Sequence, residues 1–431
     1  MSTLAQRRSL RACFDRRTWL RGAGLAAGAA WLTPLAHALA DQAESGESTA
    51  GGERPRSVIL LWLRGGPSQL ETFDPHPGTE IAAGTKAIKT AVSGIQLAEG
   101  FQRLAEEMES VALIRSLQSK EGDHERALYL VKTGYRPDPV TVHPSLGAIC
   151  CHELPRAGTE LPRHVSILPG PTPARGGFLG SRYDAFKVYD PAGQVPDVKA
   201  RIPEKRQTRR RADLEFLERH FAKGRGRRIE SVATRNTVES ARLMMASEQL
   251  KAFDISEEPE KLLDEYGDSP FGRGCLAARR LIEVGVRCVE VTLPGWDSHI
   301  DNYETHRERI SILDPAVATL IRDLRQKALL DKTVVLCMGE FGRTPRINVL
   351  DGRDHWPHGF SAAIAGGGLR GGVTVGKTDP EGGRDVEEPH TIADVHATIY
   401  ETLGIDIAKE NISRAGRPIA ISEGTPLAEL L

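Results

Sequence analysis

The sequence predicts an α/β fold, a mostly parallel central sheet with helices on both faces. Three observations carry that expectation. Short continuous apolar runs, Ser57 to Leu63 the clearest, lack the polar alternation of a strand with one wet face and suit strands buried on both sides. Amphipathic stretches of helical length separate these runs, as in chains that cross over between parallel strands. Glycine-rich segments follow several runs directly, and in such sheets ligand sites gather at the carboxyl ends of strands.

From the N-terminus, Arg16-Arg17-Thr18-Trp19-Leu20-Arg21 and the weakly apolar stretch Gly22 to Leu35 predict an export signal over residues 1–40. That stretch is shorter than the roughly 20 residues that span a bilayer. Ala36-His37-Ala38 or Ala38-Leu39-Ala40 offers a cleavage site, and an uncleaved N-terminal anchor is the alternative. Residues 41–56, rich in Gly, Ser and Glu, read as a tether. The main domain is expected over residues 57–407, with 408–431 as a C-terminal tail. Its strands are Ser57 to Leu63, Val111 to Ile114, Val165 to Leu168, Val286 to Leu293, Thr333 to Met338 and Ser361 to Ala365. Its helices are Glu125 to Lys132, Gly274 to Glu283, Pro315 to Leu330 and Ile392 to Leu403. A helical insertion is expected over about 200–270, where a run rich in Lys and Arg (201–228) precedes a helical stretch from Thr237 to Phe253. The basic run reads as a solvated helix face, with an anionic polymer as the other possibility.

Composition narrows the function classes. The 431 residues hold 57 Lys plus Arg against 58 Asp plus Glu, 40% apolar and 5% aromatic residues, as in a globular chain rather than a disordered or polytopic one. A formal charge of −1 gives no global field toward nucleic acid or an acidic membrane, so no nucleic-acid partner and no membrane span in the mature chain are expected. Of six cysteines, Cys13 lies in the signal, and the remaining odd number opposes a complete disulfide framework. Cys275, Cys288 and Cys337 lie in apolar patterns and suit the core, while Cys150-Cys151 could make one bridge to a partner.

The chemistry-bearing residues fall where predicted strands end. Gly295-Trp296-Asp297-Ser298-His299 follows one strand and Gly339-Glu340-Phe341-Gly342-Arg343-Thr344 follows the next. Gly352-Arg353-Asp354-His355-Trp356-Pro357-His358 comes shortly after. Neighbouring parallel strands would bring these loops together. Asp297, His299, Glu340, His355 and His358 are therefore candidate ligands of a divalent cation, Zn, Mn, Ca or Fe. Glu340 could instead serve as a general base. Arg343 could hold an oxyanion in its planar fork or pair with Glu340 or Asp354. Gly65-Gly66-Pro67-Ser68 is a tight strand-exit turn whose amides could meet an anion. Asp123-His124-Glu125 opens a helix with an acid at its N-cap, and that helix N-terminus could instead attract an anion as part of an active site.

The strings Gly65-Gly66-Pro67-Ser68-Gln69 with Phe73-Asp74-Pro75, Gly295 to His299, Gly339 to Pro345 and Gly352 to Pro357 resemble the domain-of-unknown-function family 1501 over about Arg56 to Asp406. That family in turn resembles the alkaline phosphatase and sulfatase superfamily. The segments carrying this second likeness are Leu330 to Gly342, Ile392 to Ile405 and Arg126 to Pro137. Such a resemblance implies an alkaline phosphatase-like fold and hydrolysis of phosphate or sulfate esters with one or two divalent metals. It also implies departures. Glu340-Phe341 stands where the superfamily has an Asp-His ligand pair, and Arg64-Gly65-Gly66 where it has an acidic ligand, leaving Glu71 or Asp74 as distant substitutes. The nucleophile position falls near Asp123-His124, without a hydroxyl or thiol. His124 is then the implied nucleophile or acid-base group. The N-terminal pattern resembles a twin-arginine translocation signal, which implies passage through that translocase and a periplasmic or extracellular location.

The expected function is an exported metal-dependent hydrolase acting on a small-molecule or polysaccharide ester. The alternative is a catalytically degenerate relative that binds a polymer or assembles at a surface.

Overall fold

The structure, a computed structural model, describes residues 57–155, 158–193, 247–378 and 388–431, besides the isolated positions 203, 205, 206, 208–210, 212, 213, 216, 244 and 386. The expected signal, the tether and most of the basic insertion lie outside the described residues. No helix among the described residues is long and apolar enough to cross a membrane.

Among the described residues the main sheet has eight strands: β1 (Ser57–Arg64), β2 (Val111–Leu117), β3 (His164–Ile167), β4 (Phe186–Val188), β5 (Cys288–Pro294), β6 (Thr333–Met338), β7 (Phe360–Gly366) and β8 (Thr374–Val375). Their spatial order is β8-β2-β7-β6-β1-β5-β3-β4. Strand β1 pairs parallel with both β5 and β6, and β3 pairs parallel with both β5 and β4. Strand β7 alone runs against its neighbours β2 and β6. The register sets Arg64 opposite Pro294 and Trp62 opposite Met338, so the exits of β1, β5 and β6 end side by side.

Alternate residues of β1 enter two cores, as a strand covered on both faces requires. Ile59, Leu61 and Leu63 join the core under helices α5 (Pro270–Glu283) and α6 (Asn302–Gln326). Val58, Leu60 and Trp62 join the core under α2 (His124–Thr133), α3 (Leu146–Glu153) and α7 (Ile392–Thr402). Two further short helices are α1 (Gln102–Glu106) and α4 (Glu260–Tyr266).

Local chemistry sets the ends of these helices. Asp123 caps α2 by accepting the Arg126 amide hydrogen, and Gly134 at φ 76° closes it. Ser269 caps α5 with Pro270 in its first turn, and Thr391 with Asp394 forms a capping box on α7. Helix α6 differs from expectation. It begins thirteen residues before Pro315 and runs through it. Proline removes one internal hydrogen bond. Burial of Ile310, Leu313, Val317, Leu320, Ile321 and Leu324 keeps the helix continuous. The stretch expected as a helix up to Phe253 ends, where described, in a 3-10 turn over Glu248–Phe253. The expected tail is packed: Ile421, Leu427 and Leu430 are buried in the α7-side core. All five described cysteines are buried and unbridged.

A dry ion pair ties α2 to the sheet. Lys132 Nζ donates to Glu290 Oε2 at 2.9 Å, both side chains being nearly inaccessible, with His164 Nε2 3.7 Å from the other oxygen. Burial alone would raise the Glu290 carboxyl. The Lys132 charge and the hydrogen bonding of His164 and Lys132 hold it down to about 2. A depressed carboxyl contributes stability above its unfolded value near 4.3 and loses it on acidification. Wild type should therefore lose about 2 kcal/mol more than the Lys132→Met/Glu290→Leu double variant between pH 6 and pH 3. Urea unfolding at both pH values measures this, and equal losses would refute the buried pair.

Candidate metal centre

The exits of β1, β5 and β6 meet through a close backbone approach. Gly65 has φ +119°, and a Cβ there would lie 2.5 Å from the Asp297 nitrogen, so only glycine lets the two loops touch. The Gly65 amide hydrogen is donated to Glu340 Oε1 at 3.0 Å and to Oε2 at 3.2 Å. Phe341 is buried and supports the rings of His124 and His355 at 4.9 and 4.5 Å between centroids.

The loop after β5 is fastened to the segment before β7. The Arg353 amide donates to the Ser298 carbonyl at 2.9 Å, and Asn348 Nδ2 donates to the His299 carbonyl at 3.1 Å. The strand pair Gly342–Arg343 with His355–Trp356 then brings His355 back over the exit of β6. As a result, His124, Asp297 and His355 each offer a ligand atom, all within 4.8 Å of one another. His299 joins them, with its Nε2 3.1 Å from both Asp297 Oδ1 and His355 Nε2.

Each imidazole is fixed from behind. His124 Nδ1 donates to Glu340 Oε1 at 2.7 Å, His299 Nδ1 to Asp354 Oδ1 at 2.8 Å, and His355 Nδ1 to the Gly122 carbonyl at 2.8 Å. These acceptors have no hydrogen to give, so each Nδ1 carries the proton and each Nε2 presents a lone pair. All three Nε2 atoms face the Asp297 carboxylate. His124 Nε2 is 3.3 Å from Asp297 Oδ2, buried and without a hydrogen-bond partner. Two Nε2 lone pairs at 3.1 Å, as in His299 and His355, repel unless a proton or a cation lies between them.

Three carboxylates line the cluster: Asp297 is paired with Arg343, Glu340 with the His124 ring and Asp354 with the His299 ring. Hydrogen bonding to Glu340 raises the His124 pKa, aided by the charge of Asp297. Burial lowers that of His355, helped by the positive charges of Arg343 and His124. Burial would raise the Asp297 carboxyl, but the hydrogen bond and charge of Arg343 bring it below its ordinary value. A divalent cation at the Nε2 atoms would offset the negative charge of this cluster. The donor set of imidazoles and a carboxylate fits such a cation.

Of the residues singled out from sequence, Asp297, His299 and His355 come together as ligand candidates. His124, assigned there to catalysis, joins them. Glu340 stands one layer back. It is buried, with both oxygens engaged by Gly65 and one by His124, so it orients a ring rather than facing a cation. Arg343 is fully buried and does not face an oxyanion. It donates to the carbonyls of Gly65, Gly66 (2.8 Å) and Arg353 (3.0 Å) and to Asp297 Oδ1 (2.7 Å). Its expected pairing with Glu340 or Asp354 goes instead to Asp297. His358 is exposed, packs edge-on against Trp356 and enters no ligand group among the described residues. The distant substitutes are committed elsewhere, Glu71 to Arg353 and Asp74 to Arg115 and Thr378. Sequence reading passed over the anchoring roles of Asp354 and the Gly122 carbonyl. For Asp354 the signal was its place beside His355.

A family model described as "Protein of unknown function (DUF1501)" matches residues 55–431. None of the curated proteins matches this chain. Solved structures similar to it include the PsFucS1 sulfatase from Pseudoalteromonas sp., at 13% identity over 82% of this chain and 68% of that one, TM-score 0.39. The lipoteichoic acid synthase LtaP from Listeria monocytogenes matches at 10% identity over 90% and 80%, TM-score 0.40. The alkaline phosphatase from the Antarctic bacterium TAB5 matches at 11% identity over 82% and 99%, TM-score 0.36.

Proposed function

The chain belongs to the DUF1501 family, and from that premise we propose an exported, metal-dependent hydrolase of phosphate or sulfate esters. One observation carries the metal half of the reading: three imidazoles, each with Nδ1 anchored, turn Nε2 toward one carboxylate. The ester class rests on the motif resemblance, and export on the Arg16-Arg17 pattern.

His124, Asp297 and His355, with His299 beside them, would hold the cation. A divalent ion there would supply Lewis-acid charge against an ester oxyanion. The protein's own groups prepare that site. Glu340, Asp354 and the Gly122 carbonyl keep the three Nδ1 protons in place. Arg343 keeps Asp297 ionised and fixes its orientation. The partly exposed side chains of Asp297 and His299 leave the centre open to an incoming ester.

Among the described residues, no hydroxyl or thiol hydrogen-bonds to the side chains of His124, Asp297, His299 or His355. A water, rather than a Ser, Thr or Cys side chain, is accordingly the attacking group. The same feature favours a second reading, a non-catalytic relative that holds metal and binds a polymer or assembles at a surface.

Elemental analysis of purified protein should find about one divalent metal per chain. Phosphate and sulfate ester hydrolysis should vanish on chelation and return on reloading. Absence of metal would remove the hydrolase reading, and metal without turnover of aryl or polysaccharide esters would leave the second.

A further inference from the structure

Arg64 ends β1, immediately before the glycine that meets Glu340 and Asp297. Its carbonyl accepts the Trp296 amide hydrogen at 3.3 Å, so its backbone is fastened to the loop that carries Asp297. Its side chain is partly buried and lies along the exit segment of β3: a Cβ placed on Gly170 would meet Arg64 Cδ at 3.4 Å and Nη1 at 3.7 Å. This is the carboxyl edge of the parallel strands, where such sheets bind ligands.

The guanidinium has five N–H donors, and among the described residues no acceptor meets any of them. The other arginines near the centre are satisfied. Arg343 has three carbonyls and Asp297, Arg353 has Glu71, and Arg309 has Glu308. Withdrawing a cation partly from water without a counter-charge is unfavourable, and the deficit is met when an anion arrives. Arg343, the cation that the motifs suggested for an oxyanion, is sealed away.

We propose that Arg64 binds the tetrahedral oxyanion of the substrate's phosphoryl or sulfuryl group, as a second attachment point beside the His124–Asp297–His355 centre. The inference rests on the ester-hydrolase reading, and it assigns the role of oxyanion recognition to this chain's first strand exit. A planar fork fits two oxygens of such a group, whereas lysine offers a point charge.

The test is calorimetric titration of inorganic phosphate, and separately of sulfate, into metal-loaded and chelator-treated full-length protein. Arg64→Gln should weaken binding of the preferred anion roughly 10–100-fold, the loss of a charge-assisted bond, and Arg64→Lys should fall between. Thermal stability of Arg64→Gln should be unchanged or raised, which a structural role for the side chain would not give. The Arg64→Gln ratio should persist after chelation, whereas the cation's share of the affinity disappears. Equal affinities in wild type and Arg64→Gln overturn the proposal while leaving the metal reading intact. No binding of either anion to loaded wild type overturns it as well. Protein that takes up no metal even after loading, yet keeps the Arg64→Gln ratio, would instead sink the metal reading and keep Arg64.

Discussion

Arg353→Met is expected to destabilise the protein by about 3–5 kcal/mol at pH 7, the range for breaking a buried pair from one side. Arg353 is fully buried, and its Nε and Nη2 donate to Glu71 at 2.8 to 3.2 Å, with further bonds to the carbonyls of Ile81 and Thr344. Burial would raise the Glu71 carboxyl, and Arg353 brings it below its ordinary value. Methionine leaves that carboxylate buried without its cation, so its pKa rises above the unfolded value. A raised carboxyl favours the folded state only at low pH. The deficit of the variant against wild type should therefore narrow as pH falls from 7 toward 4. Adding Glu71→Leu should recover most of the loss, because no orphan charge remains. Urea unfolding of the three proteins at both pH values decides the matter. A single variant within 1 kcal/mol of wild type at pH 7 would contradict the pair's burial and its bonding.

The positions of the main strands were legible because burial on both faces writes uninterrupted apolar runs, as at Val58 to Leu63 and Val334 to Met338. The strand-exit loops were legible for a related reason: with parallel neighbours, Asp297 and Glu340 must leave the sheet at one edge. What sequence could not supply was direction. Glu340 and His124 both lie near the centre, yet the amide of Gly65, freed where β1 turns away, draws the carboxylate behind the ring. His355 and His358 are alike as residue types. Only the pairing of His355 with Arg343 settles that the first faces Asp297 and the second faces solvent. Arg343 and Arg353 were equally ambiguous. Their partners come from far away in the chain, Glu71 being 282 residues from Arg353, and no local pattern marks such a contact. The interior course of α6 through Pro315 was hidden likewise, since a proline reads as a helix start until packing on both sides of it is known.

Glu340→Ala is expected to weaken the metal affinity of the centre 10–100-fold, although Glu340 itself holds no cation. The carboxylate fixes the Nδ1 proton of His124 and so the direction of its Nε2 lone pair. Glu340→Gln separates orientation from charge. Its amide oxygen can still accept from Gly65 and His124, so the ring stays near its place and the affinity loss should fall at the low end of that range. The charge, however, is gone. Because hydrogen bonding to Glu340 is the largest cause of the raised His124 pKa, that pKa falls back toward its ordinary value in Glu340→Gln. A proton and a metal compete for the same Nε2. In wild type the raised pKa makes acid displace metal at a higher pH. In Glu340→Gln the affinity deficit against wild type, present at pH 8, should therefore narrow as pH falls toward 5. Competition with a chromophoric chelator across pH 5 to 8 reads both quantities at once. Affinities at pH 8 that match wild type in both variants would show that Glu340 orients no ligand. A deficit that stays constant or widens from pH 8 to pH 5 would show that His124 is not the group at which proton and metal compete.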